Sequence, residues 1–171
     1  MKIYRHKAVA MADALAGLAL SEMDSATIET TMMNYDALRK AKDDFSALQS
    51  ELFKRLYGDV EKMQESEKKP LQEFFNALGK VKDDKGAEAL KTAFPALYEK
   101  REKEMQVLQS LLNKELEIDL QQVDERAFVA GIVKGNRRVS MAEVKSLFAP
   151  MFVEQEKQEA DLSELDELLT L

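Results

Sequence analysis

The chain has no cysteine and no tryptophan, and only one histidine, three prolines and six glycines in 171 residues. Without cysteine there can be no disulfide, thiolate metal site or thiol nucleophile. The lone His6, between Arg5 and Lys7, leaves too few imidazoles for a histidine-built zinc site. Any histidine-based triad would have to use His6, and a half-exposed residue after a short strand accounts for it better. An all-β fold needs many tight turns, which so little glycine and proline cannot encode. No apolar run reaches transmembrane length. The N-terminus has a basic start (Lys2, Arg5, His6, Lys7), but Asp13 interrupts the apolar stretch that follows, so a secretory signal is not the favoured reading. A cytoplasmic location without membrane contact is expected, and no metal or other cofactor.

What the chain has in quantity is charge. Charged residues make up 33%, above the usual share of about 25%. Together with ample Leu, Ala, Lys and Glu, this points to long solvated helices. The net charge of −7 is unevenly placed. Seven acids against Lys157 between Glu154 and Leu171 give that tail −6, which leaves −1 for the rest. The expected organisation is one helical domain over 1–153 and an acidic amphipathic helix or tail over 154–171.

The strongest periodicity lies between Ala26 and Glu67. Ile28, Met32, Tyr35, Leu38, Phe45, Leu48, Leu52, Leu56, Val60 and Met63 recur mostly at steps of three or four, with a gap at Lys42. Ser25 is the expected N-cap, Gly58 the weakest point, and Lys68-Lys69-Pro70 the expected end. A helix that long needs a partner. The segment from Ala87 to Asn113 supplies one, with Leu90, Phe94, Leu97, Met105, Leu108, Leu111 and Leu112 on its apolar face and Thr92 as a cap before Pro95. Phe53 and Tyr57, beside the main stripe, read as exposed and suited to dimerisation.

Shorter helices are expected over Lys7–Leu20, Leu71–Leu78, Asp124–Lys134 and from Ser140, where Ser140 and Glu143 form a capping box. Leu116, Ile118 and Leu120 alternate at strand spacing up to Val123, and Ile3-Tyr4 is the natural mate. The fold class is therefore mainly α: a long antiparallel helical pair, shorter helices and a small two-stranded β patch.

Chemical motifs are sparse. Asp43-Asp44, Asp83-Asp84 and Glu115/Glu117/Asp119 could in principle do acid–base or Mg²⁺ work, but among 32 acids such pairs arise by chance. No EF-hand spacing, phosphate-binding glycine loop or GxSxG is present, so no catalytic residue is assigned and no enzyme is expected. Lys134, Arg137 and Arg138 flank a Gly135-Asn136 turn ahead of a capped helix and could contact phosphate or nucleic acid. No aromatics interleave with them to stack on bases. Leu162, Leu165, Leu168 and Leu169 lie at helical spacing among acids. They could dock in a partner's groove, fold back on the body, or simply form a terminal helix.

The run Leu111-Leu112-Asn113-Lys114-Glu115-Leu116-Glu117-Ile118, followed by Val123, resembles a group of small helical proteins of tailed phages and prophages. Their charged helix likewise runs into an "LLN-x-E-x-E-I" strand, and their N-terminus opens with a short strand and helix. The likeness covers about a quarter of the chain (Met1–Leu20 and Lys100–Val123) and implies a context, with no activity or site residue to carry over. The leading expectation is a non-enzymatic interaction or assembly protein with a protein partner or self-association. The alternative is a nucleic-acid-associated protein using 134–138, autoinhibited by the acidic tail.

Overall fold

The computed structural model describes residues 1–152; the leucine-bearing tail lies outside them. With no proline or glycine between Ser25 and Tyr57, one helix, α2 (Ser25–Tyr57), runs through all 33 residues. Its cap is Asp24 rather than Ser25. The Asp24 carboxylate accepts from the Thr27 amide at 2.9 Å and the Thr27 hydroxyl at 2.7 Å, and these bonds hold its pKa below the ordinary value.

α2 stops at Gly58, ten residues before the expected end at Lys68. Gly58 has φ +99°, open to glycine and unfavourable for other residues. A single 3₁₀ turn (Val60–Lys62) starts on Asp59. A new helix, α3 (Glu65–Leu78), then starts where the Gln64 amide donates to the Glu67 carboxylate at 3.2 Å. Pro70 thus lies inside a helix and does not end one. It withholds one donor from the carbonyl of Ser66, an exposed residue in the first turn.

α4 (Asp84–Ala93) is capped by Asp83, which accepts from the Gly86 amide at 2.7 Å. Pro95 opens α5 (Pro95–Leu112). Thr92 is no cap; its hydroxyl donates back to the Glu88 carbonyl at 2.9 Å. Near the N-terminus, β1 (Lys2–Tyr4) pairs antiparallel with β2 (Glu115–Glu117), Ile3 opposite Leu116. The expected two-stranded patch is therefore present, with a strand shorter than Leu116–Val123. α1 (Arg5–Gly17) follows directly on β1. α6 (Glu125–Gly135) and α7 (Met141–Phe148) complete the described helices, so the chain is mainly α. No described helix is long and apolar enough to cross a membrane.

The chain divides into two compact units. Among the described residues, one comprises Met1, Ala10–Ala37 and residues 118–152; the other comprises Lys2–Val9 and Leu38–Glu117. In the first, Met11, Leu15, Phe128, Ile132, Val144, Phe148 and Met151 are buried, and Phe128 stands edge-on to Phe148 and Phe152 at 5.1 and 5.7 Å. The Val123 amide donates to the Met151 carbonyl at 2.8 Å. α6 approaches Met23 closely through Gly131, where a Cβ would lie 2.4 Å from Met23 Cγ.

The α2 face turned inward in this unit is polar. Thr27, Thr31 and Asn34 are buried, while Met32 and Met33 are 44% and 55% exposed. The buried stripe therefore begins one residue before the Ile28–Met32–Tyr35 row that the apolar spacing suggests. Hydrogen bonding explains the offset. Asn34, fully buried, donates from Nδ2 to the Gln121 carbonyl at 2.8 Å and accepts at Oδ1 from the Gln121 amide at 2.7 Å.

In the second unit, Leu38, Ala41, Phe45, Leu71, Phe74 and Leu90 are buried. Arg5 Nη1 donates to the Leu111 carbonyl at 2.8 Å and His6 Nδ1 to the Leu112 carbonyl at 3.1 Å, both at the C-terminal end of α5.

Asn34→Ala would strand the Gln121 N–H and C=O. It is expected to cost about 1–3 kcal/mol of stability by denaturant unfolding and to speed hydrogen exchange at the Gln121 amide. Wild-type stability in this variant would show that the pair is ornamental.

Candidate functional site

The basic turn is largely occupied by its own neighbours. Lys134 Nζ lies 3.2 Å from a Glu22 carboxylate oxygen. Asn136 clamps Ala19, accepting from its amide and donating to its carbonyl, both at 2.9 Å. Arg137 and Arg138 are exposed. The N-terminus of α7, where a phosphate would have to sit, already holds a carboxylate. Glu143 accepts from the Ser140 amide at 3.0 Å, a bond that lowers the Glu143 pKa, and Ser140 Oγ accepts from the Glu143 amide. Lys145 pairs with Glu125 at 3.7 Å. The structure thus leaves Lys134, Arg137 and Arg138 at the surface, with Lys134 in an exposed ion pair with Glu22.

The acidic pairs do not converge. Asp43 and Asp44 are exposed, Asp83 is a cap, and Glu115, Glu117 and Asp119 are exposed. Among the described residues no group of three or more His, Asp or Glu could hold a metal ion. Leu162, Leu165, Leu168 and Leu169 fall outside the described residues.

A different feature emerges in the second unit, around the break at Gly58. Phe53 and Tyr57 are not a free surface. Their rings lie 4.7 Å apart and meet Phe75 at 5.8 and 5.3 Å; Phe75 meets Phe74, which meets Phe94. Ending α2 at Gly58 lets the chain return as α3 and bring Phe75 against them. Tyr57 is 8% exposed as a result.

A cleft of about 540 Å³ is lined by Phe53, Lys54, Asp59, Glu61, Arg101, Glu104 and Leu108, among others. A hollow of about 450 Å³ includes Tyr57, Asp59, Met63, Leu71 and Leu97. Gly58 and Asp59 line both.

The cleft holds an ion pair whose carboxylate is buried and whose guanidinium is part-exposed. Glu104 is 5% exposed and accepts a hydrogen bond from Arg101 one helical turn before it. Leaving such a carboxylate without its cation would be costly, so the pair acts as a unit. The Tyr57 hydroxyl is buried against the Glu104 carboxylate. Burial, with the negative Glu104 next, pushes the Tyr57 phenol up to about 12.

Sequence reasoning missed Glu104 because Lys100 to Glu104 reads as a solvated charge run. The signal was nevertheless there. Leu90, Phe94, Leu97, Arg101, Glu104, Leu108 and Leu111 follow strict four–three steps, which place both charges on the inward seam. Met105, assigned to that seam, is 49% exposed. No family model, curated protein or solved structure matches the chain.

The Tyr57 pKa implies an alkaline limit on stability. Above about pH 10 the unfolded state loses the phenolic proton that the folded state keeps, so stability falls as pH rises from about 10 to 12. Phenolate absorbance should show a late-titrating component that is absent in Tyr57→Phe, whose stability should depend less on pH in that window. Identical titrations of the two proteins would contradict this burial.

Proposed function

We propose that this chain is a non-enzymatic interaction or assembly protein of phage or prophage origin, engaging a protein partner or another copy of itself. The observation that carries the reading is the set of large apolar side chains left on its helix faces. Met32 and Met33 on α2, Met105 on α5 and Met141 on α7 are each between 44% and 55% exposed. Methionine is flexible and polarisable, which suits adaptable protein contacts. The acidic tail supports the same reading, since Leu162, Leu165, Leu168 and Leu169 would form one apolar face able to lie in a partner's groove. The resemblance of Leu111 to Ile118 to phage proteins supports the setting.

Nucleic-acid association through Lys134, Arg137 and Arg138, with the tail as competitor, is the weaker reading. Lys134 already holds Glu22 and Glu143 already fills the helix terminus. Two exposed arginines supply little counterion release.

Truncation after Val153 is expected to leave the helical circular dichroism and cooperative melting of the remainder intact while abolishing the complex that the full chain forms with its partner or itself. Loss of the thermal transition would make the tail part of the fold. Tight, steeply salt-dependent binding of a short DNA duplex by the truncated protein would transfer the function to the basic turn.

A further inference from the structure

We propose that the outward face of α2 around Met32 and Met33 is a docking site for a basic amphipathic helix of a partner protein, which sets an arginine or lysine between the two methionines. The proposal rests on the reading of the exposed methionines as a contact surface and adds the chemistry of the partner.

The geometry of the face comes first. Thr27, Thr31 and Asn34 are buried on the inward side of α2. At about 100° per residue, the line opposite them runs through Glu29 and Asp36, both exposed. Met32 and Met33, 44% and 55% exposed, flank that line on either side. Residues i, i+3, i+4 and i+7 of a helix form the hole that receives one side chain from a helix packed against it. On this face the four are Glu29, Met32, Met33 and Asp36. The hole therefore has a thioether on each side and a carboxylate at each end.

Such a lining selects its side chain. A leucine would suit the methionines but would take water from the carboxylates and give nothing back. An arginine or lysine lays its apolar stem between the methionines and carries its charge out to Glu29 or Asp36. The flexible methionine side chains adjust to either stem.

The surrounding charge has the same sign. Between Lys7 and Arg39 the chain has no lysine or arginine and five acids, Asp13, Glu22, Asp24, Glu29 and Asp36. Of these, Glu22 pairs with Lys134. Arg39 and Lys40 open the next turn and mark where the acidic stretch ends. Met105 and Met141 lack this setting: the first follows Arg101 and Lys103, the second Arg137 and Arg138.

Charge also disfavours the two other occupants. A second copy laid antiparallel across the same face sets the Glu29 position against the Asp36 position of the other chain, and a parallel copy sets like against like. The chain's own tail brings seven acids around its leucines. A basic helix from a different protein meets neither obstacle.

The test uses the full chain with ¹³C-methyl-labelled methionine. It is titrated with acetyl-(Leu-Ala-Ala-Arg-Leu-Ala-Gln)₂-amide, a helix with leucine and arginine on one face, and with the same peptide carrying Glu in place of Arg. The arginine peptide should shift the Met32 and Met33 methyl signals well beyond those of Met105 and Met141, and the glutamate peptide should not. Glu29→Gln should weaken the arginine peptide about two- to fivefold, the range for one exposed ion pair. Reversing both acids, Glu29→Lys with Asp36→Lys, should exchange the preference, so that the glutamate peptide binds and the arginine peptide does not. If the reversed protein loses cooperative unfolding, Glu29→Gln decides alone. Absence of shifts at Met32 and Met33, equal shifts with both peptides, equal shifts at Met105 and Met141, or a folded reversed protein that keeps the arginine preference would overturn the proposal. Tail truncation tests the assembly reading through a different part of the chain, so each can fail without the other.

Discussion

The two hydrogen bonds between the Asn34 side chain and the Gln121 backbone fix which face of α2 points inward in the first unit. A helix face carrying Thr27, Thr31 and Asn34 would ordinarily be a solvent face. It is buried because a backbone N–H and C=O are presented to the amide at matching geometry. Asn136 makes the same two-way contact with Ala19. Two side-chain amides thus act as backbone mimics and tie loop segments to helices in a unit that has little regular sheet to do so. Thr31 has no such partner for its hydroxyl, so the weight of the polar face falls on Asn34.

Much of the architecture was legible because it rests on patterns that local chemistry fixes. The Ser140–Glu143 box and the pairing of the Ile3-Tyr4 strand with the strand at Leu116 both appear where the residues imply them. The inward face of α2 was legible where it is apolar, at Leu38 and Phe45, with Ala41 bridging the gap at Lys42. It was misread at Ile28, Met32 and Tyr35, because hydrophobicity cannot register a stripe whose burial is secured by hydrogen bonds. Thr27, Thr31, Asn34, Leu38, Ala41 and Phe45 nevertheless keep an unbroken four–three rhythm. Spacing alone, without regard to polarity, would have found it. The same holds for Arg101 and Glu104 on α5. Pro70 was misread for a different reason: a proline early in a helix, with its orphaned carbonyl on an exposed turn, is tolerable.

The candidate sites divide along similar lines. The basic turn was visible as a cluster of like charges, but the partner of Lys134, Glu22, comes from another segment, and the Glu143 carboxylate at the start of α7 already accepts from the Ser140 amide. The Gly58 site could not be seen as a site, since it needs the return of α3 to bury Tyr57. What the sequence did contain was the one glycine in an otherwise uninterrupted helical stretch. That glycine ends α2, permits the aromatic cluster, and lines both depressions. Turning the polar residues of α2 inward has a complementary effect, since it leaves methionines outward and gives the protein an adaptable surface.

The orientation of α2 is therefore the claim on which both the fold and the interaction reading rest. Oxidative footprinting of the full chain with peroxide, at a dilution where it is monomeric and with no partner present, read by mass spectrometry, tests it directly, because sulfoxide formation follows exposure. Met32, Met33, Met105 and Met141 should oxidise early, while Met11 and Met151, fully buried, and Met23, 8% exposed, should stay protected until the protein unfolds. Protection of Met32 and Met33 together, or early oxidation of Met11 and Met151, would contradict the account.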